Sequence, residues 1–242
     1  MTLPHVLAAK AEVVLGAHLV LRHRTPRLAA LLVLAIVGLS FLRDRGGPAG
    51  GSSAATVLLM TGTLAAVAGS RLLAPGAALA ASRRVAAVWW LAPSGRLIGA
   101  LFAILPVVAV SVLAGGRPGP EFPKLATVTT LYAAAAASLV LALAPLIGAS
   151  AAAAFGFVGA WLGMLPPSGI HVALDNWPVV QKPAVWLWNM LPLGWRANRL
   201  FEGDTAVDAV VLLCWVVAGV TAAAWATMWV CPSERVPPGG AQ

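Results

Sequence analysis

The sequence predicts an all-α membrane protein: six transmembrane helices, an interfacial helix before the first, and a broken external segment before the last. Two observations carry the class. Hydrophobic residues make up 60% of the chain and charged residues 10%, with a mean hydropathy of +0.88. A soluble domain of 242 residues cannot cover that much apolar surface with polar groups. Several windows also approach the roughly 20 apolar residues that cross a bilayer as a helix. The alternation of apolar and polar positions that marks a membrane β-barrel is absent.

Residues 1–25 place Leu3, Val6, Leu7, Val13, Val14, Ala17, Val20 and Leu21 on one helical face. Lys10, Glu12, His18 and the Arg22-His23-Arg24 run supply a polar side, so this stretch is expected to lie on the cytoplasmic leaflet. It does not read as a cleavable signal, because Arg43-Asp44-Arg45 follows the first apolar run where small residues would be needed.

Spans are expected at about 26–42, 54–81, 97–114, 125–146, 150–165 and 207–230. The first is short. The second is long enough to tilt, with Pro75-Gly76 near its end. The fourth and fifth are joined by a tight turn at Gly148 and are rich in Ala, Gly and Ser. Small residues let helices approach closely in lipid. The 166–206 connection holds Trp177, Trp186, Trp188 and Trp195 among five prolines. It is too apolar for a free loop and too broken for a span. One or two short helices in the outer leaflet are expected, the second near 184–190. Trp186, Trp188 and Trp195 are candidates for an external gate, because Trp favours the headgroup region. Residues 231–242 read as a cytoplasmic tail.

Six spans put both termini on one side. With cytoplasmic termini, the inside carries eight Lys and Arg against two carboxylates, and the outside seven against six. The positive-inside rule therefore favours that orientation, in a bacterial cytoplasmic (inner) membrane. The formal charge of +8 is accounted for by such loops, and no basic domain with interleaved aromatics points to nucleic acid.

No enzymatic constellation emerges, and no catalytic residue is assigned. The four histidines are scattered, no His or Cys pair has metal-ligand spacing, and Cys214 and Cys231 read as packing residues. There is no GxxxxGK[ST] loop and no Gly-x-Ser-x-Gly elbow. The spans also lack the buried ionisable relay of a proton-driven transporter, with Arg71 the exception. Arg71 is placed either to snorkel to the interface or to meet an acidic substrate. Thr61, Thr63, Thr127, Thr130 and Tyr132 are candidates to line a path with it, and Thr129 lies among them.

The stretch SRRVAAVWWLAPSGRLIGA, residues 82–100, separates the second and third spans. It combines Arg83, Arg84 and Arg96 with Trp89-Trp90 and Pro93-Ser94-Gly95. An interfacial helix, six spans, this cytoplasmic segment and the broken segment before the last span together resemble the permeases of type-2 ABC exporters. In that family an Arg-Gly-Thr-Leu-Glu-like run precedes a Pro and a short polar stretch. Arg83 matches the Arg position and Pro93-Ser94 the Pro-Ser position, while Val85-Ala86-Ala87 departs from the Thr-Leu-Glu run. Leu191-Pro192-Leu193-Gly194-Trp195 looks like the Leu-Pro-x-x-Trp segment before the sixth span.

The resemblance implies a permease subunit paired with a second permease, the same chain or another, and driven by a separate ABC ATPase subunit that binds ATP and Mg. No cofactor is then expected on this chain. Residues 82–96 would be the coupling segment, with Trp89 and Trp90 as anchors and Arg83, Arg84 and Arg96 as rim contacts. The substrate expected is amphipathic or hydrophobic, since the spans offer few fixed charges. The alternatives are a haem-exporter permease, for which His171 is the one externally placed ligand, and a non-transporting assembly or anchoring protein.

Overall fold

A computed structural model describes residues 3–43, 51–73, 90–115, 122–203 and 206–230. Among them are ten α-helices and no strand. We number them α1 (Leu3–Arg22), α2 (Arg24–Arg43), α3 (Gly51–Gly69), α4 (Leu91–Gly115), α5 (Phe122–Ile147), α6 (Ala149–Leu162), α7 (Pro167–Ala173), α8 (Pro178–Met190), α9 (Gly194–Glu202) and α10 (Ala206–Val230).

The centre of the bundle is α5, and its small residues explain why. Gly69 of α3 packs on the Ala137 backbone, and Gly156 of α6 meets Val140 of α5 and Ala66 of α3. Gly219 of α10 rests on Ser138, whose hydroxyl donates to the Trp215 carbonyl at 3.1 Å. These helices touch backbone to backbone, the packing available where lipid removes the hydrophobic drive between helices. Phe102, Leu105, Phe155, Trp161, Leu213 and Val217 face outward. That is an apolar perimeter larger than soluble monomers expose.

Two ends of the bundle can be told apart. At the near end, Arg96 of α4 donates to the Leu72 carbonyl just after α3, and Trp90 Nε1 donates to Thr221 Oγ1 late in α10. At the far end Ala54, Val57, Val108 and Leu125 share one cluster, with Phe201 packed on it. Consequently α3, α5 and α10 run from far to near, whereas α4 and α6 run from near to far. Thr25, at the start of α2, meets Arg71 at the near end. The chain thus alternates direction through six helices: α2, α3, α4, α5, α6 and α10.

Three of these helices are long and apolar enough to cross a membrane, within Leu91–Ser111, Phe122–Ile147 and Ala206–Ala226. A fourth crossing is formed if α6 and α7, bent by 94° across residues 163–166, count as one. Of the other two, α2 has 20 residues and α3 has 19, about 30 Å and about 28 Å at 1.5 Å per residue. The uninterrupted apolar run of α2 lies between Arg27 and Arg43, about 15 residues or 22 Å at 1.5 Å per residue. The hydrocarbon core they would cross is about 30 Å thick.

Several boundaries differ from the sequence expectation. Instead of continuing to residue 81, α3 stops at Gly69 and tightens through Arg71 N–Ala68 O and Leu72 N–Gly69 O bonds; residues 74–81 lie outside the described residues. Rather than beginning at residue 97, α4 begins at Leu91, so Pro93-Ser94-Gly95 is its first turn and not a separate bend. Proline is tolerated there because the first backbone N–H groups of a helix have no intrahelical partner. The 166–206 connection forms three helices rather than one or two, with Pro167 and Pro178 opening α7 and α8. Neither buries a residue, and it is α9 that enters the core. Gly203, at φ 111°, ends α9 in the left-handed conformation that glycine alone adopts without strain.

Candidate functional site

Two charged clusters, one at each end, are the chemically distinctive parts of the bundle. At the near end α1 is not a free surface helix, because it packs along the first turns of α4. A Cβ at Gly99 would overlap the Val13 carbonyl oxygen and stand 2.8 Å from the Ala17 nitrogen. One at Gly16 would stand 2.6 Å from Arg96 Cα, and one at Gly95 would be 2.7 Å from Glu12 Cβ. The Gly95-x-x-x-Gly99 spacing puts both glycines on one face of α4, which allows this approach. Val20 then joins Val33, Leu97 and Ala100 in the main core.

The close approach brings Glu12 and Arg96 together. Arg96 Nε donates to Glu12 Oε2 at 2.7 Å, and Nη1 to the Leu72 carbonyl at 3.1 Å. Arg96 is 1% exposed and Glu12 12%. One guanidinium therefore ties α1, the end of α3 and the base of α4. This corrects the rim-contact role expected for Arg96, since its charge is turned inward and compensated. Glu12 likewise leaves the polar face assigned to it. Of the remaining coupling candidates, Pro93 is buried and Ser94 Oγ donates back to the Trp90 carbonyl at 2.6 Å. Trp90 is partly exposed beside Thr221. Arg83, Arg84 and Trp89 lie outside the described residues.

At the far end, Arg196 donates to Asp208 and to the Asn189 carbonyl, and Arg199 Nε approaches Asp208 Oδ2 at 3.6 Å. Both guanidinium groups lie over the Trp195 ring, with centres 4.7 Å and 5.6 Å from its centroid. Arg196 is 7% exposed and Trp195 4%. Arg196 Nε and Trp195 Nε1 are buried without hydrogen-bond partners. Asp208 opens α10 in its first turn, where the helix dipole favours a carboxylate.

Not all of the expected path residues come together. Tyr132 is buried, with its hydroxyl between Gly62 of α3 and Gly194 of α9, and Thr61 next to Gly62 is buried too. Thr63 donates to Leu59, Thr130 to Ala126 and Thr127 to Pro123, each four residues back on its own helix. Thr127 is exposed. Arg71 stands apart, ten residues beyond Thr61 or about 15 Å along a helix, and its Nη2 lies 3.4 Å from Thr25 Oγ1.

The three gate candidates separate as well. Trp186 is exposed, and Trp188 Nε1 donates to the Leu165 carbonyl at 2.9 Å, pinning α8 below the end of α6. Trp195 is in the core, its backbone N–H bonded to the Gly163 carbonyl at 2.8 Å. His171 is exposed on α7, and no group of three His, Cys, Asp or Glu side chains gathers among the described residues.

The fold defines a class: a helical protein, consistent with a membrane protein, with three or four helices among the described residues that are long and apolar enough to cross a bilayer. Comparison of the sequence and structure with known protein families, curated proteins and solved structures gives no match.

Proposed function

We propose that the chain is the permease subunit of an ATP-driven exporter of the ABC type, moving an amphipathic or hydrophobic substrate out of the cytoplasm or inner leaflet. In this reading all six alternating helices cross the cytoplasmic membrane, and α2 and α3 do so by drawing on flanking residues and local thinning of the bilayer. A separate ATPase subunit carries ATP and Mg and docks at residues 82–96. A second permease subunit completes the transporter.

The observation that carries the proposal is the tie made by Arg96. It joins α1, the end of α3 and the base of α4 immediately after the segment that resembles a coupling helix. A push delivered there moves three helices as one body, as a rigid-body switch between inward-open and outward-open states requires. The absence of a phosphate-binding loop in the sequence agrees with ATP hydrolysis on another chain.

Where an ABC ATPase is encoded beside it, co-expression with that subunit, followed by purification in mild detergent, tests the reading. A stoichiometric complex is expected, with Trp89→Ala/Trp90→Ala releasing the ATPase while the permease stays folded. Purification of the chain alone under conditions that keep it folded, or a complex indifferent to both tryptophans, overturns it.

A further inference from the structure

Polar groups buried without partners are costly, at about 1–3 kcal/mol each, so two in adjacent residues of one helix call for an explanation. Trp195 Nε1 and Arg196 Nε are such a pair, at the start of α9. Beneath them, Tyr132 packs with Leu58, Val128, Leu212 and Ala197 in one apolar cluster. Its hydroxyl would lie 3.3 Å from a Cβ at Gly194, so α9 closes directly over it. Two guanidinium groups lie over the same indole and share Asp208. Glu202, the other described carboxylate on α9, accepts from Asn198 at 2.7 Å. Donors without acceptors, beside two guanidinium groups and over an apolar floor, describe complementarity to a particular ligand.

We infer that α9, closed over Tyr132, covers a binding site for an anionic amphiphile. The carboxylate or phosphate head accepts from Trp195 Nε1 and Arg196 Nε, and the apolar chain lies against Leu58, Val128 and Leu212. With α9 seated, Arg196 is held by Asp208 and Asn189, and the site is closed. A ligand enters when α9 lifts, and its head takes up the two free donors. The inference rests on the permease reading and deepens it by naming the substrate class.

The test is ligand binding to the full chain in a neutral maltoside detergent without any ATPase, so that its failure is separate from failure of the transport reading. Thermal unfolding is followed against rising dodecyl phosphate, dodecanoate, dodecanol and inorganic phosphate at constant detergent. Dodecyl phosphate or dodecanoate should raise Tm saturably, and the stronger of the two identifies the head group.

Trp195→Phe keeps the ring and removes the N–H; it should weaken that binding about 10- to 100-fold, in line with one hydrogen bond to a charged group. Trp177→Phe, at an exposed position, should bind as the unmodified chain does. The inference is overturned if neither anion shifts Tm, if dodecanol or inorganic phosphate does as well, or if Trp195→Phe binds unchanged.

Discussion

Replacing Glu12 by Ala removes the one carboxylate that faces Arg96 among the described residues, and the consequence follows from the geometry. Arg96 is left 1% exposed with a single acceptor, the Leu72 carbonyl at 3.1 Å. Its Nη2 is already buried without a partner. Breaking a buried ion pair from one side costs about 3–5 kcal/mol. Glu12 is 12% exposed, so water can partly replace it and the cost should fall near the lower end, about 3 kcal/mol. Removing the stranded charge as well, in Glu12→Ala/Arg96→Met, should return about 2 kcal/mol of that loss, because a well-packed apolar side chain tolerates the site. Equilibrium unfolding in mixed micelles, arranged as a double-mutant cycle, measures both terms. A cost below about 1 kcal/mol for Glu12→Ala, as at an exposed pair, would refute the reasoning. So would a double variant no more stable than the sum of its parts.

Three further outcomes follow. Gly99→Ala gains about 1 kcal/mol in helix propensity but sets a Cβ against the Val13 carbonyl, part of a backbone that cannot rotate aside. Overpacking costs about 1–3 kcal/mol, so a net loss and faster proteolysis of α1 are expected, and a stabilised variant would rule out the close approach. Asp208→Asn strands the buried Arg196 and should cost several times more than Arg199→Ala, since the Arg199 side chain is itself 44% exposed and 3.6 Å from Asp208; unfolding of the two variants compares them. Trp188→Phe should cost about 1 kcal/mol by losing its bond to Leu165, and should make α8 more accessible to protease while α9 stays protected.

The helical class was legible because hydropathy is a property of composition, and the ends of α5 and α10 fall within three residues of those expected from the apolar runs. The ends of α3 and α4 were not, since they are set by contacts distant in sequence. Gly69 stops against Ala137, and the Pro93-Ser94-Gly95 run is helical because α1 packs on it. Glu12 and Arg96 are 84 residues apart, and read separately each looks like an ordinary interfacial charge. Two signals were available: a lone carboxylate within an apolar helix, and the Gly95-x-x-x-Gly99 spacing beside Arg96. Arg196 and Asp208 were counted as external loop charges, because the amphipathic face of α9 that buries Arg196 spans only nine residues among prolines and tryptophans. Residues 83, 84 and 89, central to the expected coupling segment, lie outside the described residues, so that segment is still read from sequence.

The permease reading stands on six crossings, and the connection between α2 and α3 separates six from four. If α2 and α3 cross, a cysteine at Ala49 lies outside, on the side of Glu202 and opposite Thr25. If only α4, α5, the α6–α7 pair and α10 cross, Ala49 shares the side of Thr25. Single cysteines at these three positions, in a background with Cys214 and Cys231 replaced by Ser, can be labelled in right-side-out vesicles with a membrane-impermeant maleimide. The account predicts labelling at Ala49 and Glu202 and protection at Thr25 until the vesicles are opened; protection at both Ala49 and Thr25 would contradict it.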